Sequence, residues 1–359
     1  MSIEIKLTDQ HFPVSPAFIN FLYHFDNGLP FESPWHDQLS ETLNRDSQAQ
    51  QRAVTHAAEV LASAGGKNAL QRSYELFVAI LTGDVARLRP IHERYRFVCV
   101  VGCPRHGGSY LTKQLFLALG WKPEQIPNAI AHDGFPDAGP FEIKQGVNSV
   151  THSMQGMAEY LTMVELFYAN ARLFDNRVVV PKKATKAAYQ GGFFHQLLGS
   201  ETEYLLTLRH PVAACISTYE KSGGLPVDGK FAVRGNIEEW ARRDAQLAGA
   251  QWIEATRPDY FDVYLRYWEY YHYQLIHSGL AASPHWRTVA YGEARIQATA
   301  QGFYRRYGSD NDAEKFYVFA KQDRHADWLR KAEPALLRVR DAWAAAGKAF
   351  PLDELMEAW

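Results

Sequence analysis

What this sequence is short of narrows the field first. Three cysteines in 359 residues, Cys99, Cys103 and Cys215, are too few and too irregularly spaced for a disulfide framework, and Cys99-x-x-x-Cys103 has neither zinc nor redox spacing. No apolar run approaches the length needed to span a bilayer, and the opening residues MSIEIKLTDQ carry charges rather than the apolar stretch of a secretory leader. Excess basic charge is missing too: 38 Lys and Arg stand against 40 Asp and Glu, a net charge of −2, which argues against a broadly basic surface for nucleic acid. These absences point to a cytoplasmic chain that works without membrane, nucleic acid or metal.

Enough is present for a sizeable core. Hydrophobic residues make up 47% and charged residues 22%, the balance of an ordinary globular protein, so the length reads as one main domain with an extension. Over residues 14–94 the apolar positions recur at helical spacing, broken at DNGLPFESP and SAGGKN, and no β-rich run interrupts them. Residues 1–94 are therefore expected to form a helical N-terminal extension. From residue 95 onward strands and helices alternate. YRFVCVVG is a buried-strand pattern, and Leu111, Leu115 and Leu119 line one stripe of the helix after it. Residues 128–131 form a short strand, 154–171 a helix, RVVV a strand, 187–198 a helix and EYLLTL a strand. A further strand, WRTVAY, follows the aromatic segment YFDVYLRYWEYYHYQL, which at helical spacing packs as core or against a partner helix, or else lines a pocket. The remainder reads as helical. Such alternation predicts an α/β domain over residues 95–359, a parallel sheet covered by helices.

The first chemical signal is FVCVVGCPRHGGSYL, residues 97–111. Gly102, Gly107 and Ser109 occupy the places of the phosphate-binding pattern G-x-x-x-x-G-K-[ST], but Gly108 stands where that pattern has its lysine. A glycine-rich turn between strand and helix either serves packing alone or offers its backbone N–H groups, at the positive end of the helix dipole, to an anion. An ATP-dependent kinase would also need a cation at position 108. Here the cation is Arg105, inside the loop. The second signal is YLLTLRHPVAACISTY, in which Arg209 ends a strand and Ser217 lies two turns into a helix opened by Pro211. A guanidinium and a hydroxyl so placed can form a charge-assisted grip on a phosphate, or the arginine can serve as a structural bridge between loops.

Together, in this order, the two segments resemble the sulfotransferase family. GCPRHGGSYL is similar to its 5′-phosphosulfate loop, P-[KR]-S-G-T-[TS] followed by an aromatic or apolar residue and leucine. Pro104, Arg105, Gly107, Ser109, Tyr110 and Leu111 match, while His106 replaces the common serine and Gly108 a threonine. Arg209 and Ser217 match the 3′-phosphate motif, and Tyr291, ahead of Gly292 and Glu293, matches a strand-end tyrosine that can meet the adenine. The resemblance covers residues 95–291.

It implies a three-layer α/β/α fold with a central parallel sheet, of the P-loop nucleotide-binding type. The implied reaction moves a sulfuryl group, in line, from 3′-phosphoadenosine 5′-phosphosulfate (PAPS) to a hydroxyl or amine of a small-molecule or carbohydrate acceptor, without a metal. Donor-binding residues are then Gly102, Pro104, Arg105, His106, Gly107, Gly108, Ser109, Tyr110, Arg209, Ser217 and Tyr291. In KQDRHADWLRK, Arg324, beside Lys321 and His325, stands in for the basic residue that many members place over the 3′-phosphate. Arg105 would stabilise charge on the bridging oxygen, and Lys182 or Lys183, after RVVVP, would contact the transferring sulfonate; Lys183 is taken into the catalytic set. The base falls near NAIAHDG: His132 for its pKa range, Asp133 adjacent, Glu142 further on and His106 a rival. A P-loop kinase using ATP and a non-catalytic scaffold with this fold are the alternatives.

Overall fold

The computed structural model describes residues 3–7, 10–31, 39–132, 147–221, 260–318 and 325–357. The chain opens with an antiparallel hairpin, β1 (Ile3–Leu7) and β2 (Gln10–Val14), with Ile3 opposite Val14 and Leu7 opposite Gln10. A purely helical reading of residues 1–94 misses it. The alternation is short but clear, since Ile5, Phe12 and Val14 are buried while Glu4, Lys6 and Pro13 are exposed. Four helices follow: α1 (Pro16–Asp26), α2 (Leu39–Ala62), α3 (Ala64–Thr82) and α4 (Val85–Arg94). The break expected at SAGGKN shrinks to Ser63, whose hydroxyl accepts from the Gly66 N–H at 2.8 Å and caps α3.

Strand and helix then alternate as the sequence predicts: β3 (Tyr95–Val101), α5 (Gly108–Ala118), α6 (Asn128–Ala131), α7 (Val147–Phe167), β4 (Val178–Lys183), α8 (Gly191–Leu198), β5 (Glu203–Leu208), α9 (Pro211–Lys221), α10 (Tyr260–His277), β6 (Trp286–Ala290), α11 (Glu293–Tyr307), α12 (Ala326–Ala345) and α13 (Leu352–Glu357). One expected element is corrected. Residues 128–131 are a single helical turn and not a strand: Pro127 precedes it, and the His132 N–H bonds back to the Asn128 carbonyl at 2.9 Å. Four residues are too few for periodicity to tell the two apart. Residues 309–318, between α11 and α12, are irregular where a helical remainder was expected.

Among the described residues the sheet has four parallel strands in the order β4-β3-β5-β6. Both faces are covered. One carries Phe97, Cys99, Val101, Val180, Tyr204 and Leu206 and packs on α7, α9 and α10; the other carries Val98, Val100, Leu205 and Val289 and packs on α5 and α11. That is an α/β fold compatible with three layers, and it explains why β3 and β5 read as unbroken apolar runs. The aromatic residues of α10, Phe261, Tyr264, Tyr267, Trp268 and Tyr271, are buried in the first of these cores. The hairpin and α1 to α4 contribute to the same core. They are also fastened to α7, by a two-pronged ion pair of Arg72 with Glu165 at 2.8 Å and by the Ser15 N–H donating to buried Glu159 at 2.9 Å. Among the described residues no helix is long and apolar enough to cross a membrane.

Strand order also locates the natural binding crevice. From central β3 the chain moves to β4 on one side, then crosses back to β5 on the other. The helix after β3, α5, lies on one face and the helix after β5, α9, on the opposite face. The connections therefore diverge between the C-terminal ends of β3 and β5, which is where open α/β sheets bind ligands.

Candidate functional site

Both sequence motifs lie at this crevice. Residues 102–107 connect β3 to α5, and their shape is set by close contact with the end of β5. A Cβ on Gly102 would stand 2.1 Å from the Thr207 hydroxyl and 2.6 Å from its carbonyl, so only glycine fits. Gly107 takes φ +89° at the start of α5 and lies against Tyr291, whose ring would be 3.5 Å from an added Cβ. Arg105 adopts φ +68°, a conformation rare for a residue with a side chain. It is held there. The Arg209 guanidinium donates to the Arg105 carbonyl at 2.9 Å, and the Arg105 Nε donates to the Ser217 hydroxyl at 3.2 Å.

The rest of the motif residues fall into place around this link. Arg209 is 3% exposed; its guanidinium lies 3.9 Å from the centroid of the Tyr291 ring, and its carbonyl accepts from the Trp268 indole at 3.1 Å. Pro211 opens α9 as its first residue, and Ser217 lies partly exposed on that helix. Tyr291 is fixed by its own N–H, which donates to the Leu208 carbonyl at 2.6 Å. Ser109 is exposed and Pro104 partly so. Gly108 begins α5, and a Cβ there would meet the Lys183 Cε at 3.7 Å, an ordinary contact.

The two lysines at the end of β4 are thereby told apart. Lys182 is 1% exposed; it donates to the Ile130 and His132 carbonyls at 3.3 and 3.0 Å and lies 4.4 Å from the centroid of the Tyr160 ring. Lys183, partly exposed, runs beside the glycine loop. His132 closes α6 and is tied through its carbonyl to the C-terminal end of β4, on the same sheet edge as the loop.

Two expected donor contacts have other occupations. His106 turns inward, 1% exposed, with Nδ1 bonded to the Thr207 carbonyl at 3.0 Å. Burial pushes its imidazole down to about 3, with the Arg209 charge adding to the effect, so it is a poor base at neutral pH. Tyr110 donates to the Glu314 carbonyl and packs with its ring tilted against that of Phe316, 4.7 Å between centroids, beneath the irregular segment 309–318. Asp133, Glu142, Lys321 and Arg324 lie outside the described residues. His325 caps the start of α12 and stacks on Trp328 at 4.0 Å.

Several residues that matter here went unread in the sequence. Thr207, alternating with the apolar residues of β5, shapes the loop through its carbonyl and hydroxyl. Gln114 is a buried amide beside the leucine stripe of α5; it exchanges hydrogen bonds with Glu314 and accepts from Tyr304, fastening segment 309–318 over α5. A polar residue in or beside an apolar stripe was the available signal in both cases. Among the described residues no group of three or more His, Cys, Asp or Glu side chains is placed to hold a metal ion. All three cysteines are buried free thiols, and burial pushes that of Cys99 up to about 12. No protein-family model, curated protein or solved structure matches this chain.

Proposed function

We propose that this chain is a sulfotransferase of P-loop-like fold that binds PAPS at the crevice between β3 and β5. The observation that carries the reading is the hydrogen-bonded joining of two motifs about a hundred residues apart: Arg209 to the Arg105 carbonyl, and Arg105 to Ser217. A helix N-terminus, three cationic side chains and a hydroxyl suit a ligand with phosphates at both ends better than one with a single triphosphate tail. PAPS supplies the activated sulfuryl group. The loop N–H groups and Arg105 hold the 5′ end and stabilise charge on the oxygen that leaves with it. Arg209 and Ser217 hold the 3′-phosphate, Tyr291 lies beside them toward the adenine, and Lys183 stands at the loop to meet the sulfonate. His132 accepts the proton of the acceptor hydroxyl or amine. The acceptor is a small molecule or carbohydrate, and three buried thiols support a cytoplasmic setting.

Calorimetric titration with 3′-phosphoadenosine 5′-phosphate, with its analogue lacking the 3′-phosphate and with ATP tests this directly. The wild type should prefer the first over the second by about 2–4 kcal/mol, a charge-assisted contact left unmade. Arg209→Ala should lose most of that preference, with its melting temperature measured alongside because Arg209 also holds the Arg105 carbonyl; equal weakening of both ligands, with the preference intact, would refute the placement of the 3′-phosphate. Tighter, magnesium-dependent ATP binding would make the chain a kinase instead, and absence of nucleotide binding would leave a scaffold.

A further inference from the structure

His106 has a role beneath the loop that contact with phosphate does not describe. Its Nδ1 lies 3.0 Å from the Thr207 carbonyl, and a carbonyl oxygen only accepts, so Nδ1 carries the proton and the ring is a fixed tautomer. The other nitrogen, Nε2, is buried without a hydrogen-bond partner among the described residues, and the His272 imidazole is 6.5 Å away between ring centroids. The working atom is therefore Nδ1. Thr207 meets the loop once more, through the contact that excludes any side chain at Gly102, and its hydroxyl donates to the carbonyl of Val101, the last residue of β3, at 3.3 Å. Two residues further on, Arg209 holds the Arg105 carbonyl at 2.9 Å. Residues 102, 105 and 106 are thus all fitted to residues 207–209, and Arg105 takes its left-handed φ of +68° between two such anchors. The imidazole stays neutral throughout the working pH range because burial pushes it down to about 3.

We infer that His106 is a positioning residue: as a buried Nδ1–H donor it fastens the loop to the end of β5 and keeps Arg105 in the conformation that presents its carbonyl to Arg209 and its guanidinium to Ser217. This inference rests on the nucleotide-site reading for its consequence, but not for its geometry. It also accounts for a histidine at a place where the family that the loop resembles has a serine, since the side chain serves the loop from below.

Three substitutions in the full chain separate chemistry from volume. In His106→Asn the amide N–H falls near the Nδ1 position, in His106→Gln near the Nε2 position, and His106→Leu fills the space with no donor. Nitrogen-15 shifts of the wild-type imidazole should show a protonated Nδ1 and a bare Nε2. Amide exchange over residues 102–109, without ligand, should be unchanged in the Asn variant and about tenfold faster in the other two, the scale of one lost hydrogen bond. Binding of 3′-phosphoadenosine 5′-phosphate should stay within about threefold for Asn and weaken by about tenfold or more for Gln and Leu. Should the Leu variant not fold, the Asn and Gln pair and the wild-type spectrum still decide. An Nε2–H tautomer, an Asn variant that fails along with the others, or three variants that all keep the wild-type exchange pattern would overturn the inference. A wild type that binds no nucleotide, yet shows the Nδ1–H tautomer and the Asn–Gln split in exchange, would sink the proposed function and leave the positioning role standing.

Discussion

Glu159 gives a quantitative handle on how the N-terminal segment is joined to the sheet. Its side chain, on α7, has no exposed surface; Oε1 accepts from the Ser15 N–H at 2.9 Å and from the Gln155 amide at 2.8 Å, while Oε2 has no hydrogen-bond partner among the described residues. Burial pushes the carboxyl up from 4.5 to about 7, against the opposing pull of the Ser15 and Gln155 hydrogen bonds. A raised value means that the folded state holds the proton more tightly than the unfolded chain does. The stability this group lends is thus fully present below pH 4.5, is lost as pH climbs towards 7, and is gone above that. At about 1.4 kcal/mol for each tenfold change in proton affinity, the loss amounts to about 3 kcal/mol. Glu159→Gln keeps an acceptor for Ser15 and never ionises. Urea unfolding of both proteins from pH 4.5 to 8 should show the variant gaining on the wild type by about 3 kcal/mol across the window, other titrations cancelling in the difference. A difference between the two proteins that stays constant with pH would refute the reasoning, because Glu159 would then ionise in the fold as readily as out of it.

Three further outcomes follow from the loop and its surroundings. Gly102→Ala places a methyl group 2.1 Å from the Thr207 hydroxyl, so thermal unfolding should show a loss of about 1–3 kcal/mol with nucleotide binding lost in parallel. The Cβ of Gly108→Thr meets only ordinary contacts, 3.6 Å to Val100 and 3.7 Å to Lys183; the variant should fold and bind 3′-phosphoadenosine 5′-phosphate about threefold or more tighter in calorimetry, one added hydroxyl contact. Gln114→Leu strands the Glu314 N–H and the Tyr304 hydroxyl, and should cost about 1–3 kcal/mol with faster amide exchange at Glu314.

Patterns of apolar residues were sufficient for most of the scaffold. Runs such as FVCVV and YLLTL are buried on both faces, a composition that only an interior parallel strand satisfies, and the helices between them follow from stripes at helical spacing. Where the pattern was short it misled. Residues 128–131 could not be told from a strand, and the hairpin at residues 3–14 buries too few side chains to stand out next to four helices. The two segments that meet at the crevice were legible as well, because glycine spacing, an arginine at a strand end and a proline opening a helix are local features.

What no local feature could give was orientation. Lys182 and Lys183 are chemically alike in sequence, yet alternation along β4 sends one under Tyr160 into the core and the other to the glycine loop. His106 read as a phosphate contact, and only the position of the Thr207 carbonyl, from a strand a hundred residues away, turned it inward. The same holds for Arg105 and Arg209, two residues read separately in the sequence as ligand contacts, of which the fold makes one donate to the carbonyl of the other. A sequence specifies which groups it carries and the period at which they recur. Which of them meet depends on strand order and register, and here the crossing from β4 back over β3 to β5 is what brought the two motifs to one crevice.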